Sequence, residues 1–451
     1  MFVLESAIIK MNNNHLIVNA KIVNEEITVE GDLAILDGRI AGINQRVPTG
    51  TPITDANGSW LIPGMIDDQV HFREPGFEHK GTIATESRAA IAGGITSFME
   101  MPNCNPLTTT HEELENKHLR AAKNSVANYA FYFGATNENL EAIKSVNPKK
   151  ACGIKVFMGA STGDMLVDDP NTLEGIFSGT DLLVATHCED TPTILANEEI
   201  ARRKYGNNIP HSEHPIIRSE EACYLSSSLA VDLAKRHGTR LHVLHLTTEK
   251  EMILFDTGPI SKKNITAEAC VHHLYFDDSW YASKKADVKC NPAIKKTTDR
   301  NALQQAIRED RIDVIATDHA PHTLEEKSRP YRQAPAGLPL VQDAIPILLD
   351  LVNRKIFSIE TMVRKTSHAP AELFGVMNRG YIREGYHADL VLVDPSSTRE
   401  NHEIFSKCGW SPFQGIDTKG SVEATWVNGY LLYQQGRIID GPLGQPLEFD
   451  R

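Results

Sequence analysis

Five ionisable side chains lie in, or at the C-terminal end of, five different apolar segments. They are His71, Lys155, His187, His245 and Asp318. Imidazole and carboxylate groups bind divalent cations, and both exchange protons with substrates. A lysine amine that reacts with carbon dioxide becomes a carbamate, which can bridge two cations. One such residue alone is weak evidence, but the five together indicate a metal centre.

These residues lie on segments that alternate with helix-like stretches such as residues 84–94, 219–238 and 298–310. The pattern predicts an α/β fold, a (β/α)8 TIM barrel, in which the C-terminal ends of all strands meet at one mouth. An open doubly wound sheet is the alternative, but no glycine-rich phosphate-binding motif follows an early strand. The eight predicted strands are residues 61–72, 95–101, 128–135, 153–160, 181–187, 241–246, 264–270 and 313–318.

Both ends of the chain lack this alternation and instead show short predicted strands, separated by turns such as Asp37-Gly38 and Asn57-Gly58. We predict that residues 1–58 and 381–451 form one small β-sandwich around a barrel of residues 59–380. The polar, proline-rich residues 323–340 follow the last barrel strand and are expected to form a mobile loop over the active-site face.

The composition favours a small-molecule substrate. A net charge of −13 and the lack of any Lys/Arg block argue against nucleic acid or an anionic membrane as partner. No apolar run reaches the ~18 residues of a membrane span. The first twenty residues lack the basic region and cleavage site of a signal peptide. The seven scattered cysteines form no CxxC pair, which suits the reducing cytoplasm.

The sequence resembles the amidohydrolase superfamily and, within it, the dihydroorotases. The matching motifs follow the order of that family and span most of the barrel. An Arg in HFREPG, followed by MPN, separates dihydroorotases from hydantoinases and allantoinases. The motifs are GMIDDQVHFREPG, AIAGGITSFMEMPNCNP, GIKVFMGAS, THCED, HVLHLTT, VHHLYF, KCNPAIK, ATDHAPHT, AGLPLVQDA and the closing GQPLEFDR.

The resemblance implies reversible hydrolysis of the cyclic amide of L-dihydroorotate to N-carbamoyl-L-aspartate in pyrimidine biosynthesis, by metal-activated hydroxide. One or two zinc ions are implied. His71 would bind the more buried ion, and His187 and His245 the more exposed one. Carboxylated Lys155 would bridge both, and Asp318 would ligate the buried ion and carry the proton. A homodimer and association with other pyrimidine-pathway enzymes are also implied.

Substrate recognition needs a cation for the carboxylate on the ring. Arg73 lies two residues after His71, on the same strand face, and can form a bidentate clamp. A surface ion pair is the simpler alternative for this Arg. By the matching motifs, Asn103 and His322 would join Arg73, and Asn291 would contact the ring.

One position departs from the family pattern. Gln69 occupies the place of the first His in the family's His-x-His motif. Its amide oxygen is a weaker zinc donor than imidazole, so we expect a weaker or differently tuned buried site, with Gln69 as an optional ligand. A non-catalytic dihydroorotase-like scaffold and a related cyclic-amide hydrolase of the allantoinase or hydantoinase type remain alternatives.

Three further histidines are expected outside the metal shell. Strand alternation puts His242 on the face opposite to His245. His272 and His273 are predicted to lie on opposite faces of a strand.

Overall fold

The computed structural model describes residues 13–159, 165–398 and 403–451. The prediction about the first twenty residues therefore falls largely outside the described residues. The strands are β1 (His15–Asn24), β2 (Ile27–Leu36), β3 (Arg39–Ile43), β4 (Ile53–Asp55), β5 (Trp60–Pro63), β6 (Met65–Val70), β7 (Ile95–Glu100), β8 (Asn128–Phe131), β9 (Phe133–Gly134), β10 (Ile154–Phe157), β11 (Val184–His187), β12 (Leu241–Val243), β13 (Ile265–Cys270), β14 (Val314–Ala316), β15 (Leu390–Thr398), β16 (Lys419–Val427), β17 (Tyr430–Gln434) and β18 (Arg437–Ile438).

The α-helices are α1 (Ile83–Ala92), α2 (His111–Asn124), α3 (Leu140–Lys144), α4 (Pro170–Gly179), α5 (Thr191–Tyr205), α6 (His214–Ile217), α7 (Glu220–His237), α8 (Val271–Tyr275), α9 (Tyr281–Lys284), α10 (Thr297–Arg308), α11 (Leu324–Lys327), α12 (Ala344–Asn353), α13 (Ile359–Val363) and α14 (Ala369–Phe374). A π-helical turn, Arg364–His368, joins α13 to α14.

The strands β6 to β14 form a closed parallel barrel. It has eight strands, because β8 and β9 are two parts of one barrel strand that is interrupted at Tyr132. The barrel closes where Val70 pairs with His319 and the His71 amide donates to the His319 carbonyl at 2.7 Å. The predicted barrel is therefore confirmed, and the open sheet is wrong. The fourth strand was expected to run to Ala160, which lies outside the described residues.

The helices form where the sequence pattern predicts them, with local signals at their ends. The Ser219 hydroxyl accepts the Ala222 amide proton at the start of α7, and Gly238, with φ 71°, ends that helix. The Thr82 hydroxyl caps α1 in the same way. These helices return the chain to the N-terminal end of the next strand, so each strand delivers its last residues to the same mouth.

Both chain ends build one sheet beside the barrel. Its nine strands run in the order β18-β17-β16-β15-β5-β1-β2-β3, and β4 pairs with β1. The N-terminal and C-terminal halves join where β5 runs antiparallel to β15, with Ile62 opposite Val391. The prediction that the two ends combine into one β domain is confirmed.

The last residues of the chain cross the N-terminal end of the barrel. The Leu447 amide donates to the Tyr129 carbonyl, and the Arg451 guanidinium donates to the carbonyls of Ala151 and Cys152. Leu447 also packs into the apolar interior of the barrel. The functional end of the barrel is therefore the opposite one.

The structure bears on the expectations about membrane spans and cysteines. No helix among the described residues is long and apolar enough to cross a membrane. All seven cysteines are free.

Candidate active site and metal centre

One pocket at the C-terminal end of the barrel collects the predicted site residues. It is lined by Gln69, His71, Arg73, Asn103, Lys155, Phe157, His187, His245, Asn291, Asp318, Ala320, Ala336 and Gly337. Of the residues predicted from the sequence, only His322 is not part of this lining, and it contacts Arg73. Gln69 and Asp318, which are 249 residues apart in the chain, thus meet in one place.

Three of these residues have a left-handed backbone conformation, which sets the direction of their side chains. Arg73, His245 and Asp318 have φ values of 70°, 42° and 52°. Such values are uncommon for residues other than glycine and are concentrated at functional sites. Each follows the end of a barrel strand, where the chain must turn away from the sheet. No sequence signal predicted this geometry.

His187 and His245 converge at one side of the pocket. His187 Nδ1 lies 2.9 Å from His245 Nε2, and both rings are buried. Burial lowers the pKa of each imidazole, which favours the neutral form that ligates metals. Two ring nitrogens facing a common point at this distance suit two ligands of one cation.

A buried carboxylate orients His187 from behind. Glu189 Oε2 lies 3.1 Å from His187 Nε2, and the Arg218 guanidinium donates to the same oxygen. Glu189 is fully buried, and the positive charge of Arg218 keeps its pKa low despite that burial. Sequence analysis missed this role, although Glu189 is part of THCED. An acidic residue two positions after a strand-end His was the available signal.

His71 and Asp318 meet at another side of the pocket. The His71 Nδ1 atom is 2.7 Å from Asn103 Oδ1, so that nitrogen carries the proton and Nε2 is left as an acceptor. This Nε2 lies 3.2 Å from Asp318 Oδ1, which is also an acceptor when ionised. Two acceptors at this distance require a proton or a cation between them. Burial raises the pKa of Asp318 to about 7.

Gln69 touches the same carboxylate. Its Nε2 donates to Asp318 Oδ1 at 3.1 Å, while its Oε1 lies 3.8 Å from Cys270 Sγ. Gln69 is therefore next to the His71–Asp318 pair, with its amide nitrogen facing Asp318. Asp67, in turn, accepts the Thr317 amide and hydroxyl protons, and these bonds hold the strand end that carries Asp318.

Lys155 lines the same pocket. Its side chain is buried, and its Nζ is 4.6 Å from the centre of the Phe157 ring. Burial lowers the pKa of this amine to about 8. At that pKa about a tenth of Lys155 is neutral at pH 7, and the neutral amine is the form that can react with carbon dioxide.

Arg73 is buried at the pocket rather than paired on the surface. Its Nε donates to the Pro321 carbonyl at 3.1 Å, and one terminal nitrogen is 3.1 Å from His322 Nε2. Lys80 approaches the other ring nitrogen of His322 at 3.1 Å. Burial lowers the pKa of Arg73 to about 10, which still leaves it charged at neutral pH. The pocket therefore contains a fixed cation suited to an anionic group.

The loop after the last strand contributes to the pocket, as expected from its position. Ala336 and Gly337 line the pocket. Lys327 donates to the Gly337 carbonyl, and Lys289 donates to the Tyr331 and Ala334 carbonyls, so two buried ammonium groups hold this segment.

His272 and His273 correct one expectation. They lie in the short helix α8, not on a strand, and their ring centres are 3.9 Å apart. The helix begins directly after β13, where the chain leaves the sheet.

A closed parallel barrel with imidazoles, a carboxylate and a buried lysine at its C-terminal mouth defines a barrel enzyme whose strand ends can hold a metal. The sequence profile of the amidohydrolase family matches residues 60–432, and the chain belongs to this family.

Within the amidohydrolase family, the chain is similar to dihydroorotases. The chain is 34% identical to a dihydroorotase of Halobacterium salinarum over 85% of this chain and 91% of that protein. It is 31% identical to a dihydroorotase of Pyrococcus furiosus over 95% of both chains. The predicted resemblance to dihydroorotases is thus confirmed.

Solved structures agree on the fold. An L-hydantoinase from Arthrobacter aurescens has a TM-score of 0.90 and 24% identity, covering 96% of this chain and 99% of that one. A dihydropyrimidinase from Brevibacillus agri has a TM-score of 0.86 and 24% identity, covering 97% of this chain and all of the other. At this identity the likeness bears on the fold alone.

Proposed function

We propose that this protein is a dihydroorotase, which interconverts L-dihydroorotate and N-carbamoyl-L-aspartate by opening and closing a cyclic amide. The observation that carries the proposal is buried Arg73 in the same pocket as Asp318 and the three histidines, in a chain related to dihydroorotases. A guanidinium there matches a substrate that carries a carboxylate beside its ring.

We propose that the pocket holds one or two zinc ions. His187 and His245 would bind the more exposed ion, His71 and Asp318 the more buried one, and Lys155 would lie between both. The converging ring nitrogens and the facing acceptors of His71 and Asp318 support this assignment. When bound, a divalent cation lowers the pKa of water and polarises the carbonyl of the substrate amide.

Lys155 would join the site as a carbamate. The amine is buried, lines the same pocket as the three histidines, and has its pKa lowered to about 8 by burial. Carboxylation would turn a buried cation into an anionic oxygen donor, which suits a zinc-binding position far better than an ammonium group.

Asp318 would move the proton. Its raised pKa, about 7 through burial, suits a group that accepts and returns a proton near neutral pH. Its Oδ1 contacts Gln69 Nε2 and His71 Nε2, and we assign to Oδ2 the exchange of a proton with the ring nitrogen.

Arg73 would clamp the substrate carboxylate. Its Nε is engaged by the Pro321 carbonyl, which fixes the plane of the guanidinium. His322, which contacts Arg73, would join it. Asn291 lines the pocket, its Oδ1 is buried with no partner among the described residues, and it would contact the ring.

The proposal is tested by loading the protein with zinc in bicarbonate and following the opening of L-dihydroorotate, with hydantoin and allantoin in parallel. Preferred turnover of L-dihydroorotate supports it. Preferred turnover of another ring would favour the hydantoinase or allantoinase type. No turnover on any ring, with zinc bound, would favour a non-catalytic scaffold.

Gln69→His should strengthen zinc binding at the buried position by about tenfold or more, since imidazole is the better donor. Zinc affinity, measured by competition with a chelator, checks this. Gln69→Leu is the matched variant: if it binds zinc as the parent protein does, Gln69 is a spectator, and if it binds more weakly, Gln69 is a ligand. Equal affinity in Gln69→His and the parent would contradict the expectation.

Glu189→Gln should weaken zinc binding at the His187 position by roughly 10- to 100-fold, because it removes the charge that orients the imidazole. Cobalt substitution provides a direct readout, since the visible spectrum of bound Co²⁺ reports its ligands. Glu251→Gln, at a buried carboxylate bonded to Ser227 and Thr248 instead, is the control. An unchanged cobalt spectrum and affinity in Glu189→Gln would refute this role.

We also propose a cytoplasmic homodimer that acts on a small molecule and associates with other pyrimidine-pathway enzymes. The acidic charge and the seven free thiols support the location. The domain boundaries 1–58, 59–380 and 381–451 remain a prediction of the same kind. Light scattering on the purified protein tests the dimer.

A further inference from the structure

A second group of ligand-type side chains lies inside the barrel, below the pocket. Asp68 on β6, His242 on β12 and Glu268 on β13 are each fully buried. His242 Nε2 is 3.2 Å from Asp68 Oδ2 and 3.6 Å from Glu268 Oε2. One ligand atom from each residue lies within 4.8 Å of the other two. We call these three residues the interior triad.

The atoms that converge are the ones without partners. Both oxygens of Asp68, Oε2 of Glu268 and Nε2 of His242 have no hydrogen bond within the described parts of the chain, because the short contacts lack hydrogen-bond angles. The outward-facing atoms are satisfied: His242 Nδ1 is 2.8 Å from Thr266 Oγ1, and Glu268 Oε1 accepts the His245 amide proton at 2.9 Å. The atoms of the interior triad without partners thus face one another.

Tyr132 adds an independent observation. Its side chain is fully buried, and its hydroxyl has no hydrogen-bond partner among the described residues. Burial and the charges of Cys152, Asp68 and Glu268 raise its pKa, so the phenol lies within electrostatic reach of the interior triad. A buried hydroxyl without a partner needs an acceptor, a donor or a cation nearby.

The two carboxylates of the interior triad also need a compensating positive charge. Two carboxylates in a water-free interior are strongly disfavoured unless a positive charge compensates them. No lysine or arginine of the described residues forms an ion pair with Asp68 or Glu268. Burial and the charge of Asp68 raise the pKa of Glu268 to about 7, and the two carboxylates raise the pKa of His242 to about 9 despite its burial, so protons on His242 and Glu268 are the alternative to a cation. A divalent cation would displace these protons and balance both carboxylates with a neutral His242.

We propose that the interior triad binds a divalent transition-metal ion, Zn²⁺ or Mn²⁺, separate from the ions proposed for the pocket. One imidazole and two carboxylates are a suitable donor set for these ions. Ligand atoms about 2.1 Å from an ion stand roughly 3.0–3.4 Å apart, close to the 3.2 and 3.6 Å seen here. The second oxygen of Asp68 can complete the coordination.

The proposed ion has a structural role. It would connect the first, sixth and seventh strands of the barrel, which are β6, β12 and β13. Glu268 also accepts the backbone amide proton of His245, so the ion would restrain this part of the backbone as well. Through this contact the ion would fix the strand end that carries one of the pocket imidazoles.

Anomalous diffraction from crystals of the intact protein tests the site without any variant. Data on either side of the zinc edge, and the same for crystals grown with Mn²⁺, should show a peak within coordination distance of all three residues, in addition to peaks in the pocket. No peak at the interior triad with either metal would overturn the proposal, whatever the pocket contains and whether or not dihydroorotate is hydrolysed.

A second measurement separates a cation from a proton. Asp68→Asn should lose one metal equivalent per chain, measured by elemental analysis, whereas Glu251→Gln should lose none. In the unsubstituted protein, the ¹⁵N signal of His242 should show an Nε2 without a proton, and removal of the metal should shift it. A proton-bearing Nε2 in the metal-loaded protein would overturn the proposal even if Asp68→Asn fails to fold.

Discussion

Asp318→Asn should lower kcat for the opening of L-dihydroorotate by about 10³-fold, within the range of 10²–10⁴ typical for losing a general acid–base group. The amide keeps the shape of the carboxylate and an oxygen that Gln69 can still contact, but it cannot hold a proton at neutral pH. Steady-state rates with zinc content measured on the same samples check this, because Asp318 is also a proposed ligand.

Asp313→Asn is a matched control for this change. Asp313 is a buried acid just before the same strand, but it pairs with Lys263 and accepts the Ala267 amide proton, away from the pocket. The control should retain most of its kcat per folded molecule. If Asp318→Asn keeps more than a tenth of the parent rate at equal zinc content, Asp318 does not carry the proton.

Arg73→Gln should reduce kcat/KM for L-dihydroorotate by about 10²–10³-fold, which corresponds to the ~3–4 kcal/mol lost when one partner of a buried charge pair is removed. Arg73→Lys should be intermediate, because it keeps the charge but loses the planar fork that matches a carboxylate. Rates on dihydrouracil, the same ring without the carboxylate, should change little in either variant.

This pair of substrates also controls for structural damage. Arg73 donates to the Pro321 carbonyl and contacts His322, so its removal disturbs the segment after Asp318. Such a disturbance would lower the rates on both rings alike. Equal losses on both would therefore refute the clamp, while a loss confined to dihydroorotate supports the proposed substrate and disfavours a hydantoinase type.

Much of the barrel followed from local pattern. Buried parallel strands are apolar along their whole length, so segments such as residues 181–187 and 264–270 are visible without any structure. The helix at 219–238 was equally visible, because Ser219 and Gly238 mark its ends. His272 and His273 were misassigned because α8 follows β13 without a separating turn signal.

Residue type and order along the chain sufficed to predict the barrel and to choose the side chains that meet at its mouth, because strand ends of a closed parallel barrel must converge. Their mutual arrangement depended on long-range packing. Left-handed backbone at Arg73 and Asp318, the support of His187 by Glu189, and the approach of Asp68 to His242 arise between segments far apart in the chain. Local propensity does not encode such contacts, and only closure of the barrel brings these atoms within a few ångströms of one another.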